Sequence, residues 1–356
     1  MDAGSVGSVP GLIDWDVAAR AAKRLSPKPP GVSQREAEDV VADLYRATAH
    51  AADQVAELTA LREPPVTAVT RVIDRPAWID TNAGGMRSIM DPLVARLTEE
   101  HPVGKVAQQF GGRVTGVQVG VVLGFLSGKV LGQFEFFDRP GGQLLLVAPN
   151  LVSVERQLRV DPHDFRLWVC LHEVTHRVQF TAVPWLRQHM LDEIEALGAT
   201  IETDPAELRR RVSSAVGELV KVVRGQGDGT GLLAVLATPQ QRVVLERVTA
   251  FMSLVEGHAE YVMNAVPASV IPTRKVIESR FAARRRRSGN PLDRLLRRLL
   301  GMEAKTRQYV DGSAFVRAVV DRIGVTDFNA IWTSAKTLPT KAEIADPARW
   351  IARVHA

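Results

Sequence analysis

The chain has 356 residues, 45 Lys and Arg against 40 Asp and Glu for a net charge of +5, 46% hydrophobic and 24% charged residues, and one cysteine. This ordinary globular composition is long enough for a sizeable core and for two domains. The lone Cys170 excludes a disulfide framework and a multi-thiolate zinc site, so a metal has to be held by His and carboxylate.

From Met1 to Asp16 the chain carries acidic residues and glycines in place of the basic start and apolar core of a signal peptide, which sets the expectation of a cytoplasmic protein. Ser33-Gln34-Arg35-Glu36 is a capping box opening an Ala-rich amphipathic helix towards Leu61. Val114–Gly128 is apolar but shorter than the roughly 20 residues of a spanning helix. Its Gly116, Gly120, Gly124 and Gly128 share one helical face, where another backbone can approach closely, and the segment reads as a buried helix. Gln133–Phe137 and Gln143–Val147 are short strand-like runs joined by Arg139-Pro140-Gly141-Gly142, a hairpin signal.

Three later helices are expected from a cap followed by proline, at Asp161-Pro162, Asp204-Pro205 and Thr238-Pro239, because a first-turn proline gives up an N–H that has no partner there. Glu207 and Gln241 stand where a capping box wants them. Gly225–Gly231 reads as a flexible linker, dividing an N-terminal helical region (1–226), with the small sheet, from a C-terminal one (232–356) within one compact unit. The pattern as a whole predicts a mainly α, α+β protein, a helical bundle with one small hairpin or sheet.

His172-Glu173-Val174-Thr175-His176 lies in the helix from Asp161. Residues four apart share a helical face, so both imidazoles reach one ion, and Glu173 beside them can take a proton from water. Apolar Trp168, Val169 and Leu171 suit a helix buried on its other faces, whereas Arg177 after the second histidine is an unusual charge. A catalytic zinc also needs a third protein ligand. A metzincin arrangement would place His at 182 and Gly at 179, where the chain has Ala182 and Gln179. The candidates left are Glu193 and Glu195, or Glu256 with Glu260 on the helix from Thr238, and His258 is a rival. Glu256 is favoured, with Glu260 four residues on to accept the N–H of a ligand histidine. Gly257 within that helix implies a close approach, expected from the metal-bearing helix.

These residues resemble the zincin-like metallopeptidase family of actinobacteria and some relatives, whose members often carry a label of association with deazaflavin-cofactor biosynthesis. The resemblance runs through Asp74-Arg75-Pro76-Ala77-Trp78, Val147-Ala148-Pro149-Asn150, the His172 motif with Gln179-Phe180 and Pro184-Trp185-Leu186, Val255-Glu256-Gly257-His258-Ala259-Glu260 and Ile331-Trp332-Thr333. It implies a zincin-type fold with a zinc site of His172, His176 and Glu256, and Glu173 as general base of peptide hydrolysis. The deazaflavin label is not carried over, since no Gly-rich dinucleotide fingerprint follows a strand. Donors for a charged intermediate would come from His258, Tyr261 or Tyr309. Gln143–Val147 is the strand placed to hold an extended substrate along a sheet edge.

Ten basic residues against two acidic ones between Arg274 and Arg298 give a local +8 and leave −3 for the rest. Without aromatic interleaving or a nucleic-acid fold, the segment suggests no specific nucleic acid. The expected partner is therefore a peptide or protein substrate; the basic segment reads first as a solvated helical face and loop around Ser288-Gly289-Asn290-Pro291, with contact to a polyanion or acidic partner as the alternative. The rival reading of the whole chain is a catalytically silent zincin scaffold that binds a partner.

Overall fold

Asp14 accepts a hydrogen bond from the Val17 N–H at 2.9 Å and so caps α1 (Trp15–Leu25). The computed structural model describes residues 12–64, 68–100, 105–137, 139, 141–200, 238–286 and 302–355. Twelve α-helices and one three-stranded sheet make these residues mainly α, an α+β fold. The chain divides into two units, one of residues 1–42 and 69–154, the other of 43–68 and 155–356. The linker expected at Gly225–Gly231 and the cap at Asp204 lie outside the described residues.

In the first unit α1 lies against α4 (Lys105–Ser127). A methyl group on Gly116, Gly120 or Gly124 would stand 2.4, 2.6 or 2.9 Å from the backbone oxygens of Asp14, Ala18 and Ala22. The first three glycines thus take the α1 backbone, as the sequence led one to expect, whereas Gly128 lies just past the end of α4 and faces the Pro27 side chain. On the other side of the same helix Val114, Val117 and Val121 are exposed, so the segment is half buried rather than wholly so.

The sheet runs β1 (Val69–Ile73), β3 (Gln143–Val147), β2 (Gly132–Glu135), with β1 parallel and β2 antiparallel to β3. The β2–β3 hairpin closes at Gly141 and Gly142, both at positive φ (+85° and +71°), where glycine carries no steric cost. The parallel strand β1 is not legible as a strand in the sequence. It also changes the reading of Gln143–Val147. That strand is paired on both sides, so it has no free edge along which to hold a substrate. Its continuous apolar run, Leu144–Val147, is that of an interior strand buried on both faces. Trp15, Ile73, Trp78, Ile79, Leu123 and Val147 form the core beside it, together with α3 (Arg75–Glu100).

The second unit is helical. It contains most of α2 (Gln34–Thr59), whose start is capped by Ser33 through the Glu36 N–H, and the end of α5 (Ala148–Leu158). There follow α6 (Pro162–Ala182), α7 (Trp185–Gly198), α8 (Pro239–Ala265), α9 (Arg274–Arg286), α10 (Met302–Phe328, broken at Gly324), α11 (Lys341–Ala345) and α12 (Pro347–Val354). Asp161 caps α6 through the Asp164 N–H, and Thr238 with Gln241 forms the reciprocal capping box of α8. Arg166 binds Asp43 at 3.1 Å and Glu155 at 2.7 Å, tying α6 to the two shorter helical pieces of its unit.

Gly257 of α8 does admit a close approach, but the helix that comes there is α10. A methyl group on Gly257 would lie 2.1 Å from the carbonyl carbon of Gly312, and one on Gly312 would meet the Ser253 oxygen. In the basic segment, Arg280 donates to the carbonyls of Leu158 and Arg159 at the end of α5, Arg284 donates to Gln157, and Arg274 pairs with Glu278. Part of that charge therefore caps and braces neighbouring structure, while residues 287–298 lie outside the described ones. No helix among the described residues is long and apolar enough to cross a membrane.

Candidate metal centre

From Leu167 to Gln179 helix α6 is buried at every position except two, His172 and His176. The residues around them, including Trp168, Val169, Leu171 and Val178, anchor the helix in the core. The one stripe left open is the i, i+4 pair of imidazoles, whose side chains are 19% and 12% exposed. Glu256, on α8, brings a carboxylate to the same point.

The three ligand atoms form a nearly equilateral triangle. His172 Nε2 lies 3.1 Å from His176 Nε2, and Glu256 Oε2 lies 3.4 and 3.5 Å from them. Ligands about 2.0–2.1 Å from a tetrahedral zinc stand ~3.3 Å from one another, so the triangle has the dimensions of three corners of such a site. Among the described residues His172, His176 and Glu256 are the one group of His, Cys, Asp and Glu that could hold a metal ion in this way. Two nitrogens and one carboxylate oxygen, with a corner left over, are the donor set of a catalytic rather than a structural zinc site.

The Glu256 carboxylate and the imidazoles act on one another. Burial would raise the Glu256 carboxyl, but the facing imidazoles of His172 and His176 hold it well below the usual carboxylate range. For His176 burial acts downwards, and the Glu256 carboxylate with the nearby Glu173 outweighs it and raises the imidazole.

The neighbours of the triangle differ in part from those expected. Glu173 is buried on α6 next to His172. The N–H of His176 goes to Gln179, with Nδ1 3.0 Å from Oε1, while Glu260 is half-buried and, among the described residues, bonds neither histidine. The Gln179 amide nitrogen lies 3.0 Å from the Val255 carbonyl and 3.0 Å from His258 Nδ1. His258 is fully enclosed, stacked on Phe328 and close to Trp332, and burial followed by the charge of His176 pushes its pKa down to about 3. It therefore stands behind the triangle as a neutral imidazole and is no part of it. Of the other carboxylates considered, Glu193 is bound by Arg247 through two 2.8 Å bonds, and neither it nor Glu195 joins the triangle.

Tyr261 is half-buried on α8, where burial and then the charge of Asp321 raise its hydroxyl. Tyr309 lies in α10, its side chain outside the described residues. The charged residue after the second histidine is explained by Glu63, which Arg177 binds through two 2.9 Å bonds. The Gln179 link was open to detection, since a residue three positions after His176 shares its helical face. The Glu63 contact is 114 residues away in the chain and left no local signal.

A model of the zincin-like metallopeptidase family matches residues 13–351. Among solved structures the chain is similar to a crystal structure described as "a putative hydrolase with a novel fold" from Chloroflexus aurantiacus. The two are 32% identical, with a TM-score of 0.71, over 96% of this chain and 99% of that one. No curated protein matches the chain.

Proposed function

Because the chain belongs to the zincin-like metallopeptidase family, we propose that it is a zinc-dependent peptidase, with His172, His176 and Glu256 as ligands and Glu173 as general base. The observation that carries this reading is the convergence of the three ligand atoms, 3.1–3.5 Å apart, on a helix face that is otherwise closed. A bound zinc supplies Lewis-acid polarisation of water and of a substrate carbonyl.

What the protein's own groups add is positioning and proton transfer. Glu173 follows a ligand directly on the same helix, so its carboxylate is carried with the site and accepts a proton from the attacking water. It then returns that proton to the leaving nitrogen as the peptide bond breaks. The buried flank of α6 keeps the helix from shifting while this happens. His258 and Tyr261 are not assigned to the reaction. The partner implied is a peptide or protein substrate.

The test is metal content together with hydrolysis. Protein purified without added metal or chelator is expected to hold about one zinc per chain in wild type and in Glu173→Gln, and none in His172→Ala. In a quenched-fluorescence peptide library, Glu173→Gln should lose about 100- to 10,000-fold in rate, the range for removing a general base. Zinc bound by wild type without hydrolysis of any library member would overturn the peptidase reading and leave a zinc-holding scaffold. Failure of wild type to take up zinc would overturn the metal assignment itself.

A further inference from the structure

Gln179 makes three hydrogen-bonded contacts with no exposed surface, and their geometry fixes the protons on the two ring nitrogens that face it. A backbone carbonyl only accepts, so the atom 3.0 Å from the Val255 oxygen has to be the amide nitrogen. The amide oxygen then faces His176 Nδ1 at 3.0 Å and also only accepts, which places a proton on that nitrogen. In the neutral ring that binds a metal, the lone pair of His176 is therefore on Nε2, the atom turned towards His172 and Glu256. The second amide hydrogen points at His258 Nδ1, 3.0 Å away, which has to be an acceptor. The His258 proton is therefore on Nε2. Turning the amide over would set its oxygen against the Val255 oxygen at the same distance, two acceptors facing each other without water.

We propose that Gln179 is the positioning residue of the metal centre. It fixes the tautomer of His176, and by holding the Val255 carbonyl next to Glu256 it braces the helix carrying the two imidazoles against the helix carrying the carboxylate. His258 serves as the fixed end of that brace, held between Gln179 and the rings of Phe328 and Trp332. The inference rests on the zinc reading above for its consequence in affinity, but the proton arrangement follows from the carbonyl alone. By contrast His172 Nδ1 is buried with no hydrogen-bond partner among the described residues, so the tautomer of only one of the two imidazoles is set in this way.

The test uses the full chain with ¹⁵N-labelled histidine, with zinc and after chelation, alongside zinc affinity by competition with a chromophoric chelator. In wild type the ring spectra should show a proton on His176 Nδ1 in both forms and on His258 Nε2. Gln179→Leu, which removes donor and acceptor alike, should weaken zinc binding about 10- to 100-fold, the usual effect of deleting an orienting partner. Gln179→Glu keeps an acceptor for His176 Nδ1 but loses both donors and sets a carboxylate oxygen against the Val255 carbonyl, so it too should weaken zinc binding, and it should move the His258 proton from Nε2 to Nδ1. A merely packing role for Gln179 would not move a proton between ring nitrogens.

Unprotonated His176 Nδ1 in wild type would overturn the proposal, as would unchanged zinc affinity in Gln179→Leu, or a His258 proton that stays on Nε2 in Gln179→Glu. If Gln179→Leu fails to fold by circular dichroism, the wild-type and Gln179→Glu spectra still decide. Wild type that binds no zinc but shows both tautomers as stated would count against the zinc reading and not against the brace.

Discussion

Arg177 sits directly after a proposed metal ligand, with its side chain only 8% exposed, and its charge is answered by Glu63 at 13%. Thr181, one turn further along α6, donates to the same carboxylate at 3.1 Å. Removing one member of a buried pair leaves the other charged and desolvated, which costs about 3–5 kcal/mol, whereas replacing both with apolar groups of similar volume is often close to neutral. In urea unfolding, Arg177→Met and Glu63→Met are each expected to lose about 3 kcal/mol. The double variant Arg177→Met/Glu63→Met should be markedly more stable than the sum of two single losses. Strict additivity would mean that the pair does not act as a unit. Zinc content should be unchanged in all three, because neither side chain belongs to the ligand triangle. A sequence reader sees in Arg177 only a departure from the usual motif; its partner reaches it through the fold.

At the scale of elements, glycine inside a helix gave a dependable signal whose target was hidden. A glycine in a helix interior costs about 1 kcal/mol relative to alanine, so its presence implies a benefit. For α4 the stripe Gly116, Gly120, Gly124 declares a whole face, and the α1 backbone fills it. For Gly257 the sequence pointed to contact without naming α10, because Gly312 lies 55 positions away and its own environment is ordinary. Gly257→Ala would put a methyl carbon 2.1 Å from a backbone carbon of Gly312, and a backbone cannot rotate aside as a flexible side chain can. Separating two packed helices enough to admit it should cost about 3 kcal/mol, at the upper end for overpacking. It should also weaken zinc binding, since Glu256 moves with α8. A thermal midpoint within a degree of wild type would show that α10 yields freely at this crossing.

The same scale shows what local pattern could and could not convey. The caps at Ser33, Asp161 and Thr238 are interactions within four residues, and all were readable. Strand β1 is five residues, Val69–Ile73, with Thr70 and Arg71 at its middle; it exists because β3 offers a pairing edge, and that edge comes from residues 74 positions later. The interior position of β3, by contrast, is written in its unbroken apolar run, which suits a strand buried on both faces and not a substrate-holding edge.

For the molecule as a whole, the helix pair of the metal centre belongs entirely to the unit of residues 43–68 and 155–356. No composition break marks that unit, because a piece of α2 and the following loop enter it from far upstream, through contacts such as Arg166 with Asp43 and Arg177 with Glu63. A ligand that binds only the folded form stabilises it by RT ln(1 + [L]/Kd), about 2.7 kcal/mol at a free concentration of 100 times Kd. For a unit of this size that corresponds to a rise of roughly 5–10 °C in unfolding midpoint. Calorimetry of chelated protein before and after zinc should show that rise in wild type and not in His172→Ala or Glu256→Ala. Hydrogen exchange should place the gain in protection in α6 and α8, where the ligands are, with little change in β1, β2 and β3, which carry none. An equal rise in His172→Ala would locate zinc elsewhere on the chain. Protection gained mainly in the sheet would mean that the metal acts through the other unit, and the triangle of His172, His176 and Glu256 would then lose its claim to be the site.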